Sequence, residues 1–96
     1  LIFEEAIWEG KVGVKEGKII AGGEEYQALI VPSALVLNQK TLDLILEFVQ
    51  GGGWVFSLGK LPEFNQKGEK IHNWQERILS FSHQVKVFPK SIIYPG

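Results

Sequence analysis

The fold is decided by residues 26–58, which read YQALIVPSALVLNQKTLDLILEFVQGGGWVFSL. The consecutive apolar residues within Tyr26–Pro32 are typical of a parallel strand covered on both faces, and the proline ends the strand because it cannot donate to a ladder. Apolar residues then recur at helical spacing over Leu42–Val49. Trp54–Leu58 is a second apolar run of strand length. This order of elements predicts a βαβ unit with a right-handed crossover.

Both ends of the predicted helix carry capping signals. Asn38 is of a residue type that accepts hydrogen bonds from the first helical turn, and Gly51 stands where a left-handed C-cap residue belongs. The glycines of Gly51–Gly53 also suggest a phosphate-binding loop, but such loops run from a strand into a helix. This triplet runs from a helix into a strand, and we therefore interpret it as a C-cap followed by a tight turn.

The residues before this unit predict a helix end and a small hairpin. Leu1–Trp8 has apolar residues at helical spacing, and Gly10 ends that pattern. Within residues 11–23, apolar residues lie on both sides of Glu16-Gly17, which predicts a β-hairpin turn. We expect Gly22-Gly23 to release the chain from this hairpin.

The residues after the unit predict a helix over 70–81, a strand over Val85–Phe88 and a short edge segment over Ile92–Tyr94. These elements predict one α/β domain over residues 1–96. Its architecture is expected to be a flavodoxin-like open parallel sheet with helices on both faces and a small β-hairpin. Because the chain starts within the apolar pattern of its first helix, we expect a domain cut from a longer protein, with its first strand missing.

Composition excludes several classes of protein. Hydrophobic residues make up 45% of the chain and charged residues 22%, which are values of a globular protein. The net charge is −1 and Arg77 is the one arginine, so we expect no nucleic-acid partner. No apolar run is long enough to span a bilayer, so we expect no membrane partner. The chain has no cysteine, which is compatible with a cytoplasmic location.

Ligands of open α/β sheets collect at the carboxyl ends of the strands. The predicted edge presents Ser33, Ser57, Gly59 and Lys60, and these four residues form our ligand-binding hypothesis. Ser57, with Gly59 two residues later, also resembles half of a G-x-S-x-G nucleophile motif. Val55 replaces the first glycine of that motif, and its side chain would crowd the strained turn. We therefore expect no catalytic serine.

The histidines give two further hypotheses. His72 or His83 could act as a base for Ser57, but no aspartate follows in the sequence to orient either ring. His72 and Glu76 are four residues apart on the predicted second helix and could share a metal ion. Two ligands without a third do not define a metal site, and we predict neither a metal nor a cofactor.

Aromatic and acidic side chains could indicate carbohydrate chemistry. Trp54 opens a predicted core strand and Trp74 lies on an apolar helix face, so we interpret both as packing residues. Trp8 is the tryptophan that we expect to be exposed. Glu63 follows a predicted strand end, but a catalytic pair needs a second carboxylate across the scissile bond, and we interpret Glu63 as a solvated loop acid.

Residues 17–62 resemble a known accessory module. The pattern is a Gly-Gly pair, a tyrosine, a strand ending in proline, an amphipathic helix, a second Gly-Gly pair, a second strand and a Gly-x-x-Pro. In this chain these are Gly22-Gly23, Tyr26, Leu29–Pro32, Leu42–Val49, Gly52-Gly53, Trp54–Ser57 and Gly59–Pro62. The pattern is similar to the class I glutamine amidotransferase-like domain embedded in large glycoside hydrolases, of the α-L-rhamnosidase type or the β-galactosidase trimerisation type.

The resemblance implies a fold and a role but transfers no catalytic residue. Glutamine amidotransferases have a nucleophilic cysteine after the strand that matches Trp54–Leu58, with a histidine and a glutamate downstream. This chain has Ser57-Leu58-Gly59 at that place and no cysteine. In the glycoside hydrolases the sugar-cleaving carboxylates lie in a separate barrel domain.

We therefore expect a non-catalytic accessory domain of a larger glycoside hydrolase. Its expected partners are the catalytic domain of the same polypeptide, a second subunit in a homo-oligomer, or a carbohydrate. Two alternatives remain open, namely a degenerate amidotransferase-like hydrolase that acts through Ser57 and a small sugar-binding domain that uses the strand-end edge.

Overall fold

The computed structural model describes residues 6–7, 9–32 and 36–88. Its strands and helices are β1 (Val12–Lys15), β2 (Lys18–Ala21), β3 (Glu24–Tyr26), β4 (Ala28–Pro32), α1 (Gln39–Gln50), β5 (Trp54–Leu58), α2 (His72–Leu79) and β6 (Val85–Phe88). The strands form an antiparallel sheet in the order β1-β2-β3 and a parallel sheet in the order β4-β5-β6. The predicted mixed α/β class is confirmed.

The predicted βαβ unit is present. Strand β4 pairs in parallel with β5, from Ala28 opposite Trp54 to Pro32 opposite Leu58, and α1 connects the two strands. Strand β6 adds in parallel on the other side of β5. Both crossovers therefore step across the sheet in the same direction.

Two right-handed crossovers in the same direction place both helices on the same face of the sheet. The burial agrees, because side chains of α1 and α2 form one core with the inward-facing Val31, Val55 and Val85. On the opposite face Ile30 is 63% exposed. The expected cover on both faces is therefore not found in the part of the chain described here, and the prediction of a strand buried on both sides at Tyr26–Pro32 is wrong for these residues.

The caps of α1 differ from the prediction at one end. Asn38 is the N-cap, and its side chain accepts a hydrogen bond from the Lys40 N–H at 3.3 Å. At the other end Gly51 is right-handed, with φ −83°, and the left-handed residue is Gly52, with φ 112°. The Gly52 N–H donates to Val49 O and the next N–H donates to Phe48 O, which is the Schellman arrangement. The prediction for Gly51 was wrong by one residue.

The predicted hairpin is part of a three-stranded meander. Glu16 and Gly17 have φ 53° and 74°, the turn type that matches the twist of a two-residue hairpin. Gly22-Gly23 forms a second turn that leads into β3 and does not release the chain. Tyr26 belongs to β3, so its assignment to the parallel strand was wrong.

The first helix ends as predicted. Ala6 and Ile7 are helical, and Gly10 has φ 74°. The Gly10 N–H donates to Ile7 O and the Lys11 N–H to Ala6 O, which closes the helix with a second Schellman motif. The remaining residues of the predicted helix, including Trp8, and the edge segment Ile92–Tyr94 lie outside the described residues.

Glycines allow the first hairpin turn to touch the end of α1. A Cβ atom on Gly51 would lie 2.5 Å from the Gly17 nitrogen, and one on Gly17 would lie 2.3 Å from the Gly51 oxygen. Neither backbone can give way without moving an element, because Gly17 sits in the β1–β2 turn and Gly51 caps α1. This contact joins the meander to the main core.

We expect Gly51→Ala to lower the free energy of unfolding by about 1–3 kcal/mol, since the added methyl group overpacks a backbone contact. Gly13→Ala is the matched control, because its Cβ would have nothing within 4 Å and its φ is not positive. That variant should change stability by less than about 0.5 kcal/mol. Urea unfolding of the three proteins measures both effects, and equal stability of the two variants would contradict this contact.

The ionisation of Tyr26 tests a hydrogen bond on the surface of the meander. Its hydroxyl donates to Glu24 at 3.2 Å, and this hydrogen bond and the carboxylate charge raise the pKa of the Tyr26 phenol above 10.0. The raised pKa favours the neutral phenol in the folded state. Its contribution to stability is therefore present below the pKa of the unfolded phenol and lost as the pH rises through the folded pKa.

We expect Glu24→Gln to move the phenolate transition of Tyr26 to lower pH in a spectrophotometric titration, because the negative charge is removed. Glu25→Gln is the control, since Glu25 pairs with Lys18. It should leave the titration unchanged. Identical curves for the wild type and Glu24→Gln would show that the Tyr26–Glu24 hydrogen bond does not form in solution.

Candidate functional site at the carboxyl edge of the parallel sheet

Ser57 lies near the end of the central strand β5 and is fully buried. Its Oγ donates to the backbone oxygen of Gly59 at 2.9 Å. Gly59 has φ 95°, and its N–H donates to Phe88 O at 2.8 Å. The hydroxyl of Ser57 therefore closes the turn that leads the chain out of the sheet, and the glycine after it extends the pairing with β6.

The structure brings three of the four predicted site residues to one edge. Ser57 and Gly59 are joined by a hydrogen bond, and Lys60 follows them with an exposed side chain. Ser33 lies outside the described residues. Ligand binding at Ser33, Ser57, Gly59 and Lys60 remains a prediction.

The histidines do not approach Ser57 as a base would. His83 lies beside Trp54, with ring centroids 6.5 Å apart. Trp54 is three residues before Ser57 on β5, which is about 10 Å along a strand. His72 is exposed and pairs with Glu76 on α2, with Nε2 and Oε1 3.3 Å apart. Among the described residues no group of three potential metal ligands occurs.

A buried asparagine organises the loop between β5 and α2. Asn65 Oδ1 accepts hydrogen bonds from the backbone of Lys67 at 2.9 Å and of Glu69 at 3.1 Å. Its Nδ2 donates to the Glu69 carboxylate at 3.0 Å and to the Gln39 side chain at 3.4 Å. The Gln39 N–H in turn donates to the side chain of Gln66 at 3.1 Å. The loop is thus tied to the first turn of α1.

This network occupies a position where open α/β folds bind anions. The N-terminus of a crossover helix presents backbone N–H groups to a ligand at the carboxyl edge. In this protein the side chain of Gln66 accepts from Gln39 N–H, and Asn38 accepts from Lys40 N–H. Both acceptors belong to the chain itself, so an anion would have to displace them.

The hydrogen-bond network of Asn65 was not predicted from the sequence. A signal was present, because Asn65-Gln66-Lys67-Gly68 has asparagine and glycine at the positions preferred in a β-turn. Gly68 indeed has φ 76°, and its N–H donates to Asn65 O at 3.0 Å. The contact with Gln39 has no signal in the sequence, since it joins residues 26 apart.

The two tryptophans described by the structure have different roles. Trp74 is buried, as expected, and its Nε1 donates to Leu42 O on α1 at 2.7 Å. Trp54 points away from the core and is 38% exposed, so its interpretation as a core residue was wrong. Val55, its neighbour on the strand, faces the core instead. Glu63 is exposed, as the sequence predicts.

Comparisons with family models, with curated proteins and with solved structures gave no match for this chain. The resemblance to amidotransferase-like modules therefore depends on the residue pattern between Gly22 and Pro62. Within the described residues, no helix is both long enough and apolar enough to cross a membrane.

We expect Asn65→Ala to lower the free energy of unfolding by about 1–3 kcal/mol, because the backbone N–H groups of Lys67 and Glu69 lose the acceptor that the buried Asn65 side chain provides. Asn73→Ala is the control, since Asn73 is an exposed residue of α2. Its effect should stay within about 0.5 kcal/mol. Urea unfolding measures the free energy of unfolding of both variants. A decrease in Asn65→Ala no larger than in Asn73→Ala would show that the network does not stabilise the loop.

Proposed function

We propose that this chain is a non-catalytic accessory domain of a larger glycoside hydrolase. In this role it supports the catalytic domain of the same polypeptide or forms a subunit contact. The observation that carries the non-catalytic part of the proposal is the geometry of Ser57, which donates its hydroxyl to Gly59 O in a fully buried position. The assignment to a glycoside hydrolase is supported by the sequence resemblance.

A nucleophile needs an adjacent base and an open path to the substrate. The amidotransferase-like resemblance matches the end of β5 to the place of the nucleophile, and there the chain has a buried hydroxyl engaged with its own backbone. His83 stands beside Trp54, at the other end of β5. This arrangement favours a structural role for Ser57 over the alternative of a degenerate hydrolase.

The finer fold assignment is part of the same proposal. Three parallel strands in consecutive order, with both connecting helices on one face, correspond to one half of a flavodoxin-like sheet. In a complete sheet of that type the strand order reverses at a switch point, and helices of the other half cover the second face. We propose that the described strands belong to such a sheet.

The test uses the polypeptide encoded by the complete reading frame that contains this chain. We expect a catalytic barrel with paired carboxylates in the same polypeptide. Ser57→Ala should leave kcat/KM for an aryl glycoside within about twofold, while the domain loses about 1 kcal/mol of stability with its buried hydrogen bond. The matched control Ser82→Ala, at an exposed turn residue, should change neither quantity.

Two outcomes would overturn this function. A reading frame without a glycoside hydrolase domain would remove the assignment to that class of enzyme. A loss of about 100-fold in kcat for Ser57→Ala, with the fold intact by circular dichroism, would make Ser57 a participant in catalysis.

A further inference from the structure

We draw no further inference here: the strongest candidate, the apolar face of the parallel sheet that carries Ile30, Trp54 and Phe56 on the side opposite α1 and α2, carries nothing because no observation on the described residues shows what covers it.

Discussion

The structure depends on the burial of α1 against the inward face of the parallel sheet. Leu42, Phe48 and Val49 are fully buried there with Val55 of the central strand. Each such side chain contributes about 1.5–3 kcal/mol by leaving water, before the loss of conformational entropy. The Gln84 side chain holds the same helix at its end, because its Nε2 donates to the backbone oxygens of Val49 and Gly53 at 2.9 Å each. Strands β1 and β5 and helix α2 contact this helix.

The direction in which the chain crosses the sheet then decides which face α1 and α2 cover. Since β4, β5 and β6 follow one another across the sheet, α1 and α2 come to lie on the same side and contact each other through Trp74 and the Leu42 carbonyl. The exposure of apolar residues such as Ile30 on the other side therefore follows from the strand order. Parallel sheets usually carry helices on both faces, whereas α1 and α2 of the described residues lie on one.

The sequence predicts elements better than it predicts what covers them. Apolar spacing placed α1 and β5 correctly, because their inward faces pack within the same short stretch of chain. The run that contains Ile30 indicated two covered faces, but apolar character does not specify which residues lie above it. Strand β3 was missed because its residues, Glu24–Tyr26, are all exposed and show no alternation. At the site, the strand-end position of Ser57 was predicted, whereas the Asn65 network joins distant residues that no local pattern connects.

The carboxyl edge of the parallel sheet and the sheet face that carries Ile30 and Trp54 have opposite chemical properties. At the edge, polar groups are satisfied by the chain itself, through Ser57 with Gly59 and through Asn65 with its turn. A ligand that binds these same groups would have to replace the hydrogen bonds that they already make. On that face, Ile30 and Trp54 keep apolar area in contact with water, and burying it would be favourable. The apolar area that remains in contact with water therefore lies on the face of the sheet and not at its edge.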